Sequence, residues 1–79
     1  MTPKIGARYS INAGKGLKPS VYELDRVEPD GTYQYVLRLV SADPQKRRTP
    51  GDEMTVEANW FAWRGALAAS AEGSVREVP

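Results

Sequence analysis

The chain has 79 residues, 41% of them hydrophobic and 27% charged, with a formal net charge of +1. That length fits one small domain, and the composition is too apolar for disorder and too interrupted by charge for a membrane span of about 20 apolar residues. It contains no cysteine and no histidine. Disulfides, thiolate nucleophiles, imidazole bases, Ser/His/Asp and Cys/His arrangements and the ordinary zinc sites are therefore excluded, and neither a cofactor nor a metal is expected. A binding protein is favoured over an enzyme.

The opening Met1-Thr2-Pro3-Lys4-Ile5-Gly6 has no apolar signal region, so the expected address is cytoplasmic. The initiator Met and the small size suggest a complete small reading frame of a bacterial mobile element such as a phage, plasmid or gene cassette. Charge is unevenly spread along the chain. Residues 1–20 carry Lys4, Arg8, Lys15 and Lys18 without an acid, whereas residues 21–30 carry Glu23, Asp25, Glu28 and Asp30 against Arg26 alone.

Ile5, Ala7, Tyr9 and Ile11 alternate with polar or small residues, the period of a strand with one buried face. Ala13 to Pro19, with two glycines and a proline, reads as a loop anchored by Leu17. A second strand is expected from Ser20 to Glu28. Val21, Tyr22, Leu24 and Val27 break its alternation, which predicts a bulge or a strong bend. Glu28-Pro29-Asp30-Gly31-Thr32 then has the residues of a tight hairpin turn, with Gly31 in the left-handed region.

A third strand, Tyr33 to Ser41, places Tyr33, Tyr35, Leu37 and Leu39 on one face. Val36 and Val40 on the other face predict an interior strand partly covered on both sides. Asp43 to Asp52, bounded by prolines, is an exposed loop. Beyond it, Val56, Trp60, Trp63 and Leu67 have helical spacing, but Met54-Thr55-Val56 is β-prone and Gly65 interrupts. The preferred reading is a strand over residues 53–57, a helical turn over residues 59–64 with Asn59 as N-cap, and a last strand near residues 66–69. A continuous helix from about Thr55 to Ala69, packed on a three-stranded sheet in an α+β fold, stays open. The domain is expected to span residues 1–70, with 71–79 a fraying tail.

This order of elements suits a small curled antiparallel barrel, which hides its edges and fills its interior with one face of each strand. In Ile5 to Ile11, the Gly14/Gly16 loop, Val21 to Val27 and Tyr33 to Val40, about half the chain, the sequence resembles the Src-homology-3-like barrels and, among them, the KOW-type nucleic-acid and ribosome-associated modules. The resemblance implies an all-β barrel. It departs at Lys18-Pro19-Ser20, where a KOW motif has a glycine opening its second strand, so no RNA contact is carried over.

Trp60, Phe61, Trp63 and Arg64 form the densest aromatic group. Consecutive positions cannot all point inward, so at least one ring is expected at the surface as an interface anchor. One tryptophan is expected in the core, and with both inside Phe61 would be the exposed ring. The leading expectation is an adaptor that binds a protein partner or itself through these four residues. The alternative is a nucleic-acid-binding module using Lys15, Lys18, Lys46, Arg47 and Arg48, provided their two loops share one side of the barrel. Lys46 to Arg48 otherwise reads as a solubilising tip paired with Asp43, Asp52 and Glu53. Gly14-Lys15-Gly16 reads as a plain turn before a phosphate loop, the tyrosines as packing pairs before a cation cage, and the Glu23/Asp25 pair lacks the apolar surroundings of a catalytic acid and base.

Overall fold

The computed structural model describes residues 2–30 and 32–79. Among them, five strands form one antiparallel sheet, β1 (Arg8–Ile11), β2 (Ser20–Val27), β3 (Tyr33–Ser41), β4 (Glu53–Glu57) and β5 (Val75–Glu77), with a short helix, α1 (Trp60–Gly65), between the last two. The spatial order is β4-β3-β2-β1-β5. The fold is all-β, and no helix among the described residues is long and apolar enough to cross a membrane.

β1 starts three residues later than its alternation predicts. Lys4 to Ala7 closes a turn, with the Ala7 amide donating to the Lys4 carbonyl at 3.1 Å. Gly6 there has φ +87°, a conformation open to glycine. Ile5 is consequently exposed and not part of the core face. The Lys4 amide donates to the Tyr9 hydroxyl at 2.8 Å, which gives that buried phenol its polar partner.

The irregular alternation of β2 has the expected cause. Leu24 faces Leu37 and Arg26 faces Val36, so Asp25 is an extra residue on β2. A second slip lies between Val21 and Tyr22, where Val40 is extra on β3. Such bulges strengthen local twist and help a sheet to curl. The β2–β3 turn carries a 2.6 Å hydrogen bond from the Glu28 amide to the Gln34 carbonyl. The left-handed Gly31 expected within it lies outside the described residues.

β3 has the predicted bounds and, lying between β2 and β4, is interior. Leu37 and Leu39 are buried on one face and Val36 on the other, opposite Arg26 and Thr55 across the two ladders. The long side chains of that outer face shield apolar surface with their stems while their charges stay in water. Tyr33, expected on the core face, is exposed, since the register with β4 slips between Tyr33 and Tyr35 and the ring lies past the core.

One core cluster joins Tyr9, Tyr22, Leu24, Leu37, Leu39, Val56, Phe61 and Val75. Val56 comes from one edge strand and Val75 from the other, so the sheet curls around a shared interior in a barrel-like form. Phe61 stands edge-on to Tyr9 at 4.8 Å and to Tyr35 at 5.2 Å between ring centres.

The C-terminal third corrects several expectations. A continuous helix over residues 55–69 is not formed: β4 takes 53–57, α1 takes 60–65, and turns and bends, not a strand, follow over 66–70. Asn59 stands at the N-cap position but its side chain makes no capping hydrogen bond. Residues 71–79 do not fray as a whole, because β5 pairs with β1, Ile11 facing Val75 and Tyr9 facing Glu77, and Val75 is fully buried. The physical reason is the free edge that β1 would otherwise present, whose backbone groups are satisfied by the returning chain. Arg76 adds a side-chain clamp, donating to the carbonyls of Gly65 at 3.2 Å and Leu67 at 2.6 Å, where α1 runs out of its own donors.

Candidate docking surface

α1 divides its aromatic residues by direction. Phe61 points inward and is 1% exposed, so its place among the expected interface residues is corrected: it is a core residue that anchors the helix. Trp60 is half-buried and edge-on to Phe61 at 4.9 Å, while Trp63 is 68% exposed. Positions 60, 63 and 64 neighbour one another on a helical surface, and the Arg64 guanidinium carbon lies 5.8 Å from the Trp60 ring centre and 6.0 Å from that of Trp63. A cation over two indole faces is attracted by both.

Beside these rings is a hollow of about 330 Å³, lined by Glu57, Asn59, Trp60, Trp63 and Arg64. Glu57 carries no signal of its own in the sequence, and Asn59 only that of a helix N-cap. They reach the hollow because β4 ends at Glu57 and the chain turns at once into α1. The result is an apolar floor of indole surface with one carboxylate and one guanidinium at its rim.

The two basic loops do meet. Asp43, itself buried, accepts hydrogen bonds from the Lys18 amide at 2.8 Å and the Gln45 amide at 2.9 Å, tying the Gly14–Lys18 loop to the 3₁₀ turn Pro44–Lys46. Those two amides, and then the charges of Lys18 and Lys46, hold the Asp43 carboxyl below its ordinary range. Lys15, Lys18, Lys46, Arg47 and Arg48 are all exposed. Arg47 adopts φ +52°, left-handed for a non-glycine residue, and Arg48 donates to the Tyr22 hydroxyl at 2.8 Å.

Among the described residues, Lys46, Arg47 and Arg48 form no ion pair with Asp43, Asp52 or Glu53, which corrects the paired-tip reading. Glu53 is taken by Arg26 at 2.8 Å and Arg38 at 3.6 Å. Asp25 is held by Arg26 at 2.6 Å and Arg38 at 3.3 Å, and Glu23 by Arg8 at 3.3 Å. Arg26 is raised further above its already high range by Glu53, Asp25 and Glu28, and Glu53 is lowered by Arg26. The Glu23/Asp25 pair is thus divided between different arginines. Tyr9 and Tyr22 are buried cross-strand partners while Tyr33 is exposed, so the four tyrosines do not form a cage. Gly14-Lys15-Gly16 leads into β2 and not into a helix.

No family model, curated protein or solved structure matches the chain. What the surface does is read from its geometry.

Proposed function

We propose that the domain is a non-catalytic adaptor that docks a protein partner, or a second copy of itself, through Trp60, Trp63 and Arg64. The observation that carries this reading is an indole exposed over two-thirds of its area beside a half-buried one, at the lip of a hollow with a carboxylate and a guanidinium. Trp and Arg are the residues most enriched where binding energy concentrates, and covering Trp63 would remove a large apolar surface from water. The non-enzymatic reading is supported by the absence of histidine and cysteine and by the arginine-paired state of Glu23, Asp25 and Glu53. The likeness to Src-homology-3-like barrels is supported by the single antiparallel sheet in the order β4-β3-β2-β1-β5, curled around one core. A cytoplasmic accessory protein of a mobile element suits the small, cysteine-free chain. The test is the solution mass and partner capture of the native chain against Trp63→Ala. Loss of association in the variant supports the reading, and a native chain that stays monomeric with unchanged partner capture in the variant rejects it.

A second reading, nucleic-acid binding through Lys15, Lys18, Lys46, Arg47 and Arg48, is supported by the Asp43 clamp that draws the two loops to one side. It requires binding that falls steeply with salt and weakens in the Arg47→Ala/Arg48→Ala double variant.

A further inference from the structure

A second hollow, of about 300 Å³, opens where the end of β1, the Lys46–Arg48 loop and the Glu72–Gly73 turn converge; Asn12, Ser20, Lys46, Arg48, Arg64 and Glu72 are among its walls. Three cations thus face one carboxylate. Among the described residues none of these three is in an ion pair, whereas Arg8, Arg26 and Arg38 all are. Two of them are already held in place: Arg48 by the Tyr22 hydroxyl and Arg64 by the two indoles and a 3.3 Å hydrogen bond from its Nη1 to the Gly73 carbonyl. The Arg64 Nε is buried and, among the described residues, has no acceptor. That nitrogen is closed off from solvent, so the guanidinium meets the hollow through its other donors, and the observation that marks the site is three cations, unpaired among the described residues, lining one cavity.

We propose that this hollow is an anion site for a single phosphate group, with Arg48 and Arg64 supplying directional donors and Lys46 a point charge. Glu72 opposes the ligand and keeps the affinity modest. The proposal rests partly on the nucleic-acid reading, with which it shares Lys46 and Arg48, and extends it to Arg64 and Glu72. A phosphate group is common to small phosphomonoesters and to nucleic-acid backbones, so the test has an arm for each.

The full chain, labelled with ¹⁵N, is titrated with inorganic phosphate near pH 8 and with sodium chloride at matched ionic strength. Saturable shifts confined to Asn12, Arg48, Gly73 and the Arg64 Nε resonance are expected for phosphate alone. Lys46→Ala, whose side chain makes no hydrogen bond or ion pair among the described residues, should weaken binding about two- to fivefold, and Glu72→Gln should strengthen it by a similar factor. Arg64→Lys keeps the charge but removes the planar guanidinium and its directional donors and should weaken binding at least as much. A thymidine oligonucleotide forms the second arm. If it shifts the same residues and also Lys15 and Lys18, the phosphate belongs to a polymer; if phosphate binds and the oligonucleotide does not, the ligand is a small phosphate compound and the nucleic-acid reading alone fails. Phosphate shifts no different from those of chloride, or unaltered by both Lys46→Ala and Arg64→Lys, would overturn the proposal.

Discussion

Two sides of this small sheet treat charge in opposite ways. On the outer face of β2, β3 and β4, Arg26 and Arg38 are woven together with Asp25, Glu28 and Glu53, each cation meeting more than one carboxylate. On the side where α1, the 3₁₀ loop and the Glu72 turn meet, Lys46, Arg48 and Arg64 have no carboxylate partner among the described residues, and an indole stands in water. The first surface satisfies itself with its own side chains. The second leaves charge and apolar area unanswered by the protein's own side chains, and the docking and phosphate proposals both rest on that difference.

That contrast can be broken or sharpened by substitution, and the largest effect is expected beneath the unfinished side. Phe61→Ala empties the centre of the core and should lower stability by about 3–5 kcal/mol, read from the urea midpoint, with Phe61→Leu retaining much of it. Next is Arg76→Ala, which strips donors from the Gly65 and Leu67 carbonyls. It should cost about 1–2 kcal/mol and speed hydrogen exchange in β5 ahead of β2 and β3. Uniform exchange across the sheet would show that the clamp is dispensable.

Asp43 gives a pH-dependent effect. Its carboxyl titrates lower in the folded chain than in the unfolded one, so its contribution to stability is complete above the ordinary carboxylate range and is lost as pH falls through the lowered folded value. Because the Lys18 and Gln45 amides bond to different carboxylate oxygens, Asp43→Asn keeps an acceptor for only one of them; it should lower stability at neutral pH and flatten that part of the acid unfolding profile. A parallel profile in the variant would place the acid sensitivity elsewhere.

Smaller still, Trp63→Ala should change stability by no more than about 0.5 kcal/mol while abolishing association, the reverse of the Phe61 result two positions away. Last, Glu53→Gln should leave the urea midpoint almost unmoved at moderate salt, since exposed ion pairs contribute little and Arg26 retains Asp25 and Glu28. A large loss there would mean that the paired face is structural in a way its exposure does not suggest.

Much of this was legible along the chain. The bounds of β3 and β4 followed from period and punctuation, the bulge in β2 from its broken alternation, and the helical turn at Trp60 from the conflict between a helical stripe and a β-prone start. Those are local signals, in which propensity and pattern agree. Val75 was missed because Val75 and Val78, three residues apart among polar neighbours, lack the alternation of a strand, and only the open edge of β1 gives Val75 a role. Phe61 was misplaced for a related reason: three aromatic residues within four positions fix that at least one must face out, but not which.

The amino-acid sequence alone excluded imidazole and thiol chemistry, by containing neither group, and set out the first four strands, by the pattern of apolar and polar residues between turns. Tertiary structure decided which ring of α1 meets water, that the chain's end closes on β1, and that Arg48 and Arg64, sixteen residues apart, share one hollow. Side-chain periodicity acts over a few residues and is written in the sequence. The pairing of distant edges and charges depends on how the curled sheet brings segments together, and no local pattern encodes that distance.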